Sequence, residues 1–183
     1  VDITKKPVGW RIKCGLSYIP EDRIRYGIIP NMSVAENLLL GFQNVRGVID
    51  RFIIRWNNIK QWAEEIVRKY NIVTPTVDSQ VRFLSGGNIQ RLIVARELAR
   101  KPRIIVAFNP TLGLDVHSTK YVREILLDMK SKGIAVLLVS EDLDEILELS
   151  DRIIVMAEGK VVGNIGREEA DIGLIGKIMS RAI

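Results

Sequence analysis

Ser85-Gly86-Gly87-Asn88 runs straight into an amphipathic helical pattern over residues 89–100, and that arrangement suits the holding of an anion. Glycines let a backbone come close to a phosphate, and the first N–H groups of a helix have no partner inside it. A second segment follows: the apolar run 104–108, then Asn109-Pro110-Thr111-Leu112-Gly113-Leu114-Asp115. A third, Ser140-Glu141-Asp142, comes after the apolar run 135–139. A glycine pair alone is commonly a simple turn. The order and spacing of the three segments together carry the argument.

Other candidates carry less. His117 is the lone histidine, with no Ser/His/Asp or metal spacing around it, and reads as a solvated residue at a helix start. The carboxylates Glu141, Asp142, Asp144, Glu145 and Glu148 fall on several faces at helical spacing. They read as a solvated face with negative charge at a helix N-terminus.

These residues need elements to position them. Residues 14–20 read as a short strand ending in proline, followed by a charged loop over 21–27. Ser33-Val34-Ala35-Glu36 has capping-box spacing and opens a helix to about Gly41. Residues 56–70 repeat Ile59, Trp62, Ala63, Ile66 and Val67 on one face, which predicts a helix; Trp56 and Trp62 read as core residues, with partner contact as the alternative. A break at Thr74-Pro75-Thr76 separates it from the helix over 88–100. From Arg103 the pattern alternates: strand 104–108, helix 118–129, strand 134–139, helix 143–149, strand 152–157, a turn to Val161-Val162, and a last helix over 168–180. Such alternation predicts an α/β core with a largely parallel sheet.

Composition bounds the class. The chain of 183 residues is 47% hydrophobic, enough for one compact domain burying roughly 70% of its unfolded surface. Net charge is +5, but lysine and arginine are spread along the sequence and aromatics are only 6%. That distribution argues against nucleic-acid binding. It fits an ordinary surface leaning basic, with contact to an acidic membrane or partner as the alternative. The single Cys14 excludes an internal disulfide, suits a reducing compartment, and is expected to be packed beside its strand. No secretory pattern is visible and residues 135–139 are too few to cross a bilayer.

In order and spacing, Leu84-Ser85-Gly86-Gly87-Asn88, the 104–109 strand and the 110–115 loop resemble the signature motif, Walker B strand and D-loop of ABC-type ATPases. Tyr18-Ile19-Pro20-Glu21-Asp22-Arg23 and Met32-Ser33-Val34-Ala35-Glu36-Asn37-Leu38 resemble the Q-loop region of the ATP-binding subunits of sugar and nucleoside importers. Asn88 and the run Gly113-Leu114-Asp115-Val116 point the same way. Those subunits carry two nucleotide-binding domains in tandem, and the chain is similar to the second, from Asp2 to about Gly163. The resemblance implies a partial P-loop NTPase fold across 1–183, with 1–30 and 101–183 as the α/β core and 31–100 as a helical subdomain.

The departures from the family matter for mechanism. No G-x-x-x-x-G-K-[ST] is present: Gly159-Lys160 and Gly176-Lys177 lack both the upstream glycine and the following hydroxyl. The resemblance therefore implies a chain without its phosphate-binding Walker A lobe, with apolar sheet edges and a tendency to self-associate. Phe108 and Asn109 stand where the family has an aspartate for Mg²⁺ and a glutamate that orients water. Losing a general base lowers a rate about 10²–10⁴-fold. Glu141 replaces the switch histidine, and its charge would oppose a γ-phosphate. Glu21 stands where many relatives have glutamine; with Asp22 it would couple the nucleotide state to a membrane subunit.

What remains is what such a domain lends to a partner. Ser85, Gly86, Gly87 and Asn88 would meet the γ-phosphate of ATP held with Mg²⁺ by another nucleotide-binding domain, and Gly113, Leu114 and Asp115 would line the seam. The implied partners are that N-terminal or second ABC domain, a transmembrane permease subunit and, indirectly, a solute-binding receptor. The implied place is the cytoplasm, peripheral on the inner face of the plasma membrane, and the chain alone is expected to be inactive. Two other classes stand beside this one. One is a structural or regulatory module whose signature is unused. The other is a soluble ABC protein of DNA repair or translation, which the missing heptads and basic linker argue against.

Overall fold

The computed structural model describes residues 2–42, 49–50 and 53–180, which fall into two compact units, Val1–Leu137 and Leu138–Ile183. A three-stranded sheet has the order β1-β4-β5, comprising β1 (Leu16–Ile19), β4 (Ile104–Phe108) and β5 (Ala135–Val139), the last of which contains the division between the units. β1 and β4 run parallel, with Leu16 opposite Ile104 and Ile19 opposite Ala107. Period-two alternation divides the two faces. Ser17, Ile19, Ile105 and Ala107 are buried, whereas Tyr18 is 45% exposed and Leu137 on β5 is 53% exposed.

The buried helix is α4 (Gly86–Ala99), which closes over nine of its residues, among them Ile89, Leu92, Ile93 and Val94. It packs against α2 (Val34–Leu39) and α3 (Trp56–Lys69). The capping box at the start of α2 is present: Glu36 N–H donates to Ser33 Oγ at 3.2 Å, and Ser33 N–H donates to Glu36 Oε2 at 2.7 Å. α3 buries Ile59, Ala63 and Ile66, the stripe expected from helical periodicity. Of its tryptophans, Trp62 lies 5.1 Å from Phe42 with the rings tilted by 59°, while Trp56 at the first turn is 43% exposed. The helical stretch also holds a short antiparallel pair, β2 (Ile49–Asp50) and β3 (Ile53–Ile54); residues 43–48 and 51–52 of the proposed 31–100 subdomain lie outside the described residues.

A six-residue helix, α1 (Val8–Lys13), precedes β1, and Cys14 is its C-cap. Cys14 is exposed, contrary to the packed position expected for it. The reason is that the chain turns at Gly15 (φ 90°), so β1 begins only at Leu16 and burial begins at Ser17. α5 (Val116–Ser131) follows the 110–115 loop.

The second unit contains α6 (Leu143–Leu149), β6 (Arg152–Ala157), β7 (Lys160–Gly166) and α7 (Ile172–Ser180). β6 pairs antiparallel with β7 as a two-stranded sheet of its own, rather than serving as a third parallel strand. The turn explains the difference. Glu158 (φ 47°) and Gly159 (φ 74°) both occupy the left-handed region, the backbone requirement of a tight hairpin. Ile153, Val155, Ile165 and Ile175 form this unit's core. Among the described residues no helix is long and apolar enough to cross a membrane.

Candidate functional site

Ser85 sets the start of α4. Its extended backbone (φ −65°, ψ 157°) makes it the N-cap, so the helix begins at Gly86, two residues before the start expected from the apolar pattern. Ser85 Oγ accepts from Asn88 N–H at 3.4 Å and from Asn88 Nδ2 at 2.9 Å. Asn88 Oδ1 in turn accepts from the Val73 N–H at 2.8 Å. Ser85 and Gly86 are exposed, and a cleft of about 600 Å³ opens beside them, walled by Val73, Pro75, Phe83 and Leu84.

The two glycines differ in what they do. A Cβ on Gly86 would meet nothing nearer than Arg23 Nε at 3.8 Å, so this backbone lies open. A Cβ on Gly87 would collide with Ser118 Oγ and lie 3.4 Å from Asp115 Oδ2. Gly87 is thus required by the close approach of α5.

The 110–115 loop reaches the same place. Gly113 takes φ 64°, and Asp115 caps α5, accepting from Ser118 N–H at 2.9 Å and Ser118 Oγ at 2.7 Å. The backbone and hydroxyl donors of Ser118 hold the Asp115 carboxyl below its ordinary value. Leu114 is half-buried. Two side chains tie this loop to its neighbours: Gln90 Nε2 donates to the Pro110 carbonyl at 2.7 Å, and Arg23 donates to the Gly113 carbonyl at 3.2 Å. Neither tie was anticipated from sequence. Gln90 did leave a trace, as a polar residue on the apolar stripe of α4; Arg23 stood at the end of the Tyr18–Arg23 segment, with nothing there to name its partner.

At the end of β4, Phe108 offers no ligand for a hard cation. Asn109 is buried in the left-handed region (φ 42°), and its Nδ2 donates to Glu21 Oε1 at 2.7 Å. Glu21 opens a π-turn over Arg23–Gly27 whose N-cap, Asp22, accepts from Ile24 N–H and Arg25 N–H. The turn leaves Ile24 49% and Tyr26 66% exposed. Behind it lies a buried charge cluster: Arg96 Nε donates to Glu97 Oε1 at 3.1 Å, Arg100 donates to Glu97 Oε2 at 2.8 Å, and Ser17 Oγ donates to the Glu97 carbonyl at 3.0 Å.

In the second unit Glu141 is exposed, and Asp142 caps α6 by accepting from Asp144 and Glu145 N–H groups. The carboxylate run is not uniformly solvated, as its spacing suggested. Glu145 is fully buried and accepts from Ser140 Oγ at 2.7 Å. His117 is exposed in the first turn of α5. Among the described residues no group of His, Cys, Asp or Glu is disposed to hold a metal ion.

The family model for the ABC transporter matches residues 3–112. Similar proteins include the glucose import ATP-binding protein TsgD13 of Haloferax volcanii, 40% identical over 98% of this chain and 33% of that protein. The ribose import ATP-binding protein RbsA of Clostridium perfringens is 38% identical over 87% of this chain and 32% of its own length. The guanosine import ATP-binding protein NupO of Bacillus subtilis is 33% identical over 91% and 32%. The chain therefore spans about a third of the length of these curated relatives. Among solved structures, an ATP-binding cassette of an ABC transporter superposes with a TM-score of 0.71 at 25% identity, covering 92% of this chain and 68% of that one. A dimeric ATP-binding cassette in a post-hydrolysis state, bound to ADP and Pi, superposes with a TM-score of 0.70 at 24% identity over 87% of this chain and 65% of that one. The fold is that of an ABC ATPase.

Proposed function

The chain belongs to the ABC transporter family, and from that premise we propose that it serves as the second, C-terminal nucleotide-binding domain of an ATPase driving import of sugars or nucleosides. The relatives named above supply the class of solute. In this reading Ser85, Gly86, Gly87 and Asn88 act in trans on the γ-phosphate of ATP seated on a partner domain's P-loop. Gly113, Leu114 and Asp115 line the seam between the two domains. The Glu21–Asp22 turn, with exposed Ile24 and Tyr26, faces the permease, and the whole sits as a peripheral subunit on the inner face of the plasma membrane.

The observation that carries this reading is a contrast between two places. The capped start of α4 is open at Ser85 and Gly86, whereas the end of β4 is closed by the Asn109–Glu21 hydrogen bond. ATP hydrolysed at the first would use Mg²⁺ held by the partner. Phe108 and an amide engaged with Glu21 do not fit Mg²⁺ in this chain's own half, and no step is assigned there.

The test is to assemble this chain with its partner domain and permease and to substitute Ser85→Trp. Loss of ATP turnover and uptake by tenfold or more is the expected result. Unchanged turnover would favour a structural or regulatory module with an unused signature, a reading to which the closed Asn109–Glu21 pair also lends support. Calorimetry of the chain alone with a non-hydrolysable ATP analogue should detect no binding, and micromolar affinity would overturn the trans assignment.

A further inference from the structure

The hydrogen bonds around Asn88 point to a role for it that its place in the signature does not state. We infer that Asn88 is a positioning residue that turns the Ser85 hydroxyl into an outward-facing donor; this rests on the reading of Ser85 as a phosphate ligand in trans. The argument starts from the one group whose polarity is beyond choice. The Val73 backbone N–H can only donate, so the Asn88 atom 2.8 Å from it is the carbonyl Oδ1. The other end of the amide is then NH₂, and it faces Ser85 Oγ at 2.9 Å. Ser85 Oγ must accept there, and it accepts again from the Asn88 N–H at 3.4 Å.

A serine hydroxyl has two acceptor lone pairs and one proton. Asn88 fills both lone pairs, leaving the O–H as the one bond Ser85 has left to make. Ser85 is exposed at the open start of α4, so that proton is offered to an incoming acceptor. A phosphate oxygen carries no proton to give and needs such a donor. A hydroxyl free to rotate would spend part of its time presenting lone pairs to the anion instead. Asn88 removes that orientation, with its own amide held in register by the Val73 backbone in the loop beyond α3.

The decisive variant is Asn88→Asp, which keeps the shape and still accepts from Val73 but replaces the NH₂ by a carboxylate oxygen. The Ser85 proton is then drawn inward. ATP turnover by the assembly of this chain with its partner domain is the measurement, made on Asn88→Asp, Ser85→Ala and the double variant. A hydrogen bond to a charged group is worth roughly ten- to hundredfold in rate or affinity. Each single variant is expected to lose about that much from kcat or more, and the double variant no more than Asn88→Asp alone, in which the Ser85 proton is already turned away. Losses that multiply in the double variant would mean that Asn88 acts independently of Ser85 and would overturn the proposal. Wild-type kcat in Asn88→Asp, with Ser85→Ala impaired, would overturn it too.

If Ser85→Ala itself leaves kcat unchanged, the trans reading fails. The geometry is then decided on the chain alone by NMR. The Asn88 side-chain NH₂ resonances should move upfield in Ser85→Ala while the Val73 amide stays; NH₂ resonances that do not move would overturn the assignment.

Discussion

Asn109 and Glu21 are joined by a hydrogen bond of 2.7 Å in which the amide donates and the carboxylate accepts. The pair links the end of β4 to the turn that follows β1, two segments far apart in sequence. Its polarity can be reversed on paper. Asn109→Asp keeps the left-handed backbone, which aspartate also tolerates, but sets two carboxylates against each other. We expect a loss of about 2 kcal/mol in urea unfolding. Adding Glu21→Gln restores a donor and an acceptor and should recover more than half of it. Equal stability of all three forms would show that the bond carries no weight.

Gly86 and Gly87 should respond oppositely to alanine. Gly86→Ala meets open space and is expected to change stability by less than about 0.5 kcal/mol, or to raise it through helix propensity. Gly87→Ala drives a methyl into Ser118 Oγ, itself bonded to Asp115, and should destabilise by about 2 kcal/mol. Thermal unfolding of the two variants side by side is sufficient. A Gly87→Ala protein as stable as wild type would contradict the packing described.

The Asp115 cap predicts an acid dependence. Its folded pKa lies below the ordinary aspartate value because Ser118 donates to the charged form. A depressed carboxylate pKa stabilises the fold above the unfolded value, and the contribution is lost as pH falls through the folded one. An NMR titration should therefore give Asp115 a midpoint below that of an ordinary aspartate. The midpoint should return toward the ordinary value in Ser118→Ala.

Glu97 is the single acid between Arg96 and Arg100 in the buried cluster. Glu97→Gln keeps the volume but leaves two guanidinium groups in the interior without a counter-charge. Removing one partner of a buried ion pair costs about 3–5 kcal/mol, and a loss near the lower figure is expected because Arg100 also donates to the Leu40 carbonyl at 2.6 Å. Denaturant melts of Glu97→Gln and Glu97→Leu would measure it, and a loss under about 1 kcal/mol would show the cluster to be solvated in practice.

Local patterns carried much of the fold. β4, α6 and β6 fall where their apolar runs place them, because short runs bounded by turn residues leave little freedom. Helix starts were less legible. Ser85 and Asp115 act as caps, so α4 and α5 each begin two residues before the start expected from sequence. α1 escaped notice because six residues give too little periodicity to read. β7 was read as a turn and a stub, whereas pairing with β6 extends it to Gly166. Around the candidate site the partnerships between side chains were not legible. Gln90 with Pro110, Arg23 with Gly113 and Asn88 with Val73 join segments that only the tertiary fold brings together.

Cys14 has a practical consequence. It is the chain's single thiol, it is exposed, and it lies two residues before β1, the strand that leads to Glu21. A maleimide dye attached there would need no engineered cysteine and would perturb no core residue. Fluorescence polarisation from that position would give a direct optical record of this chain joining a larger assembly.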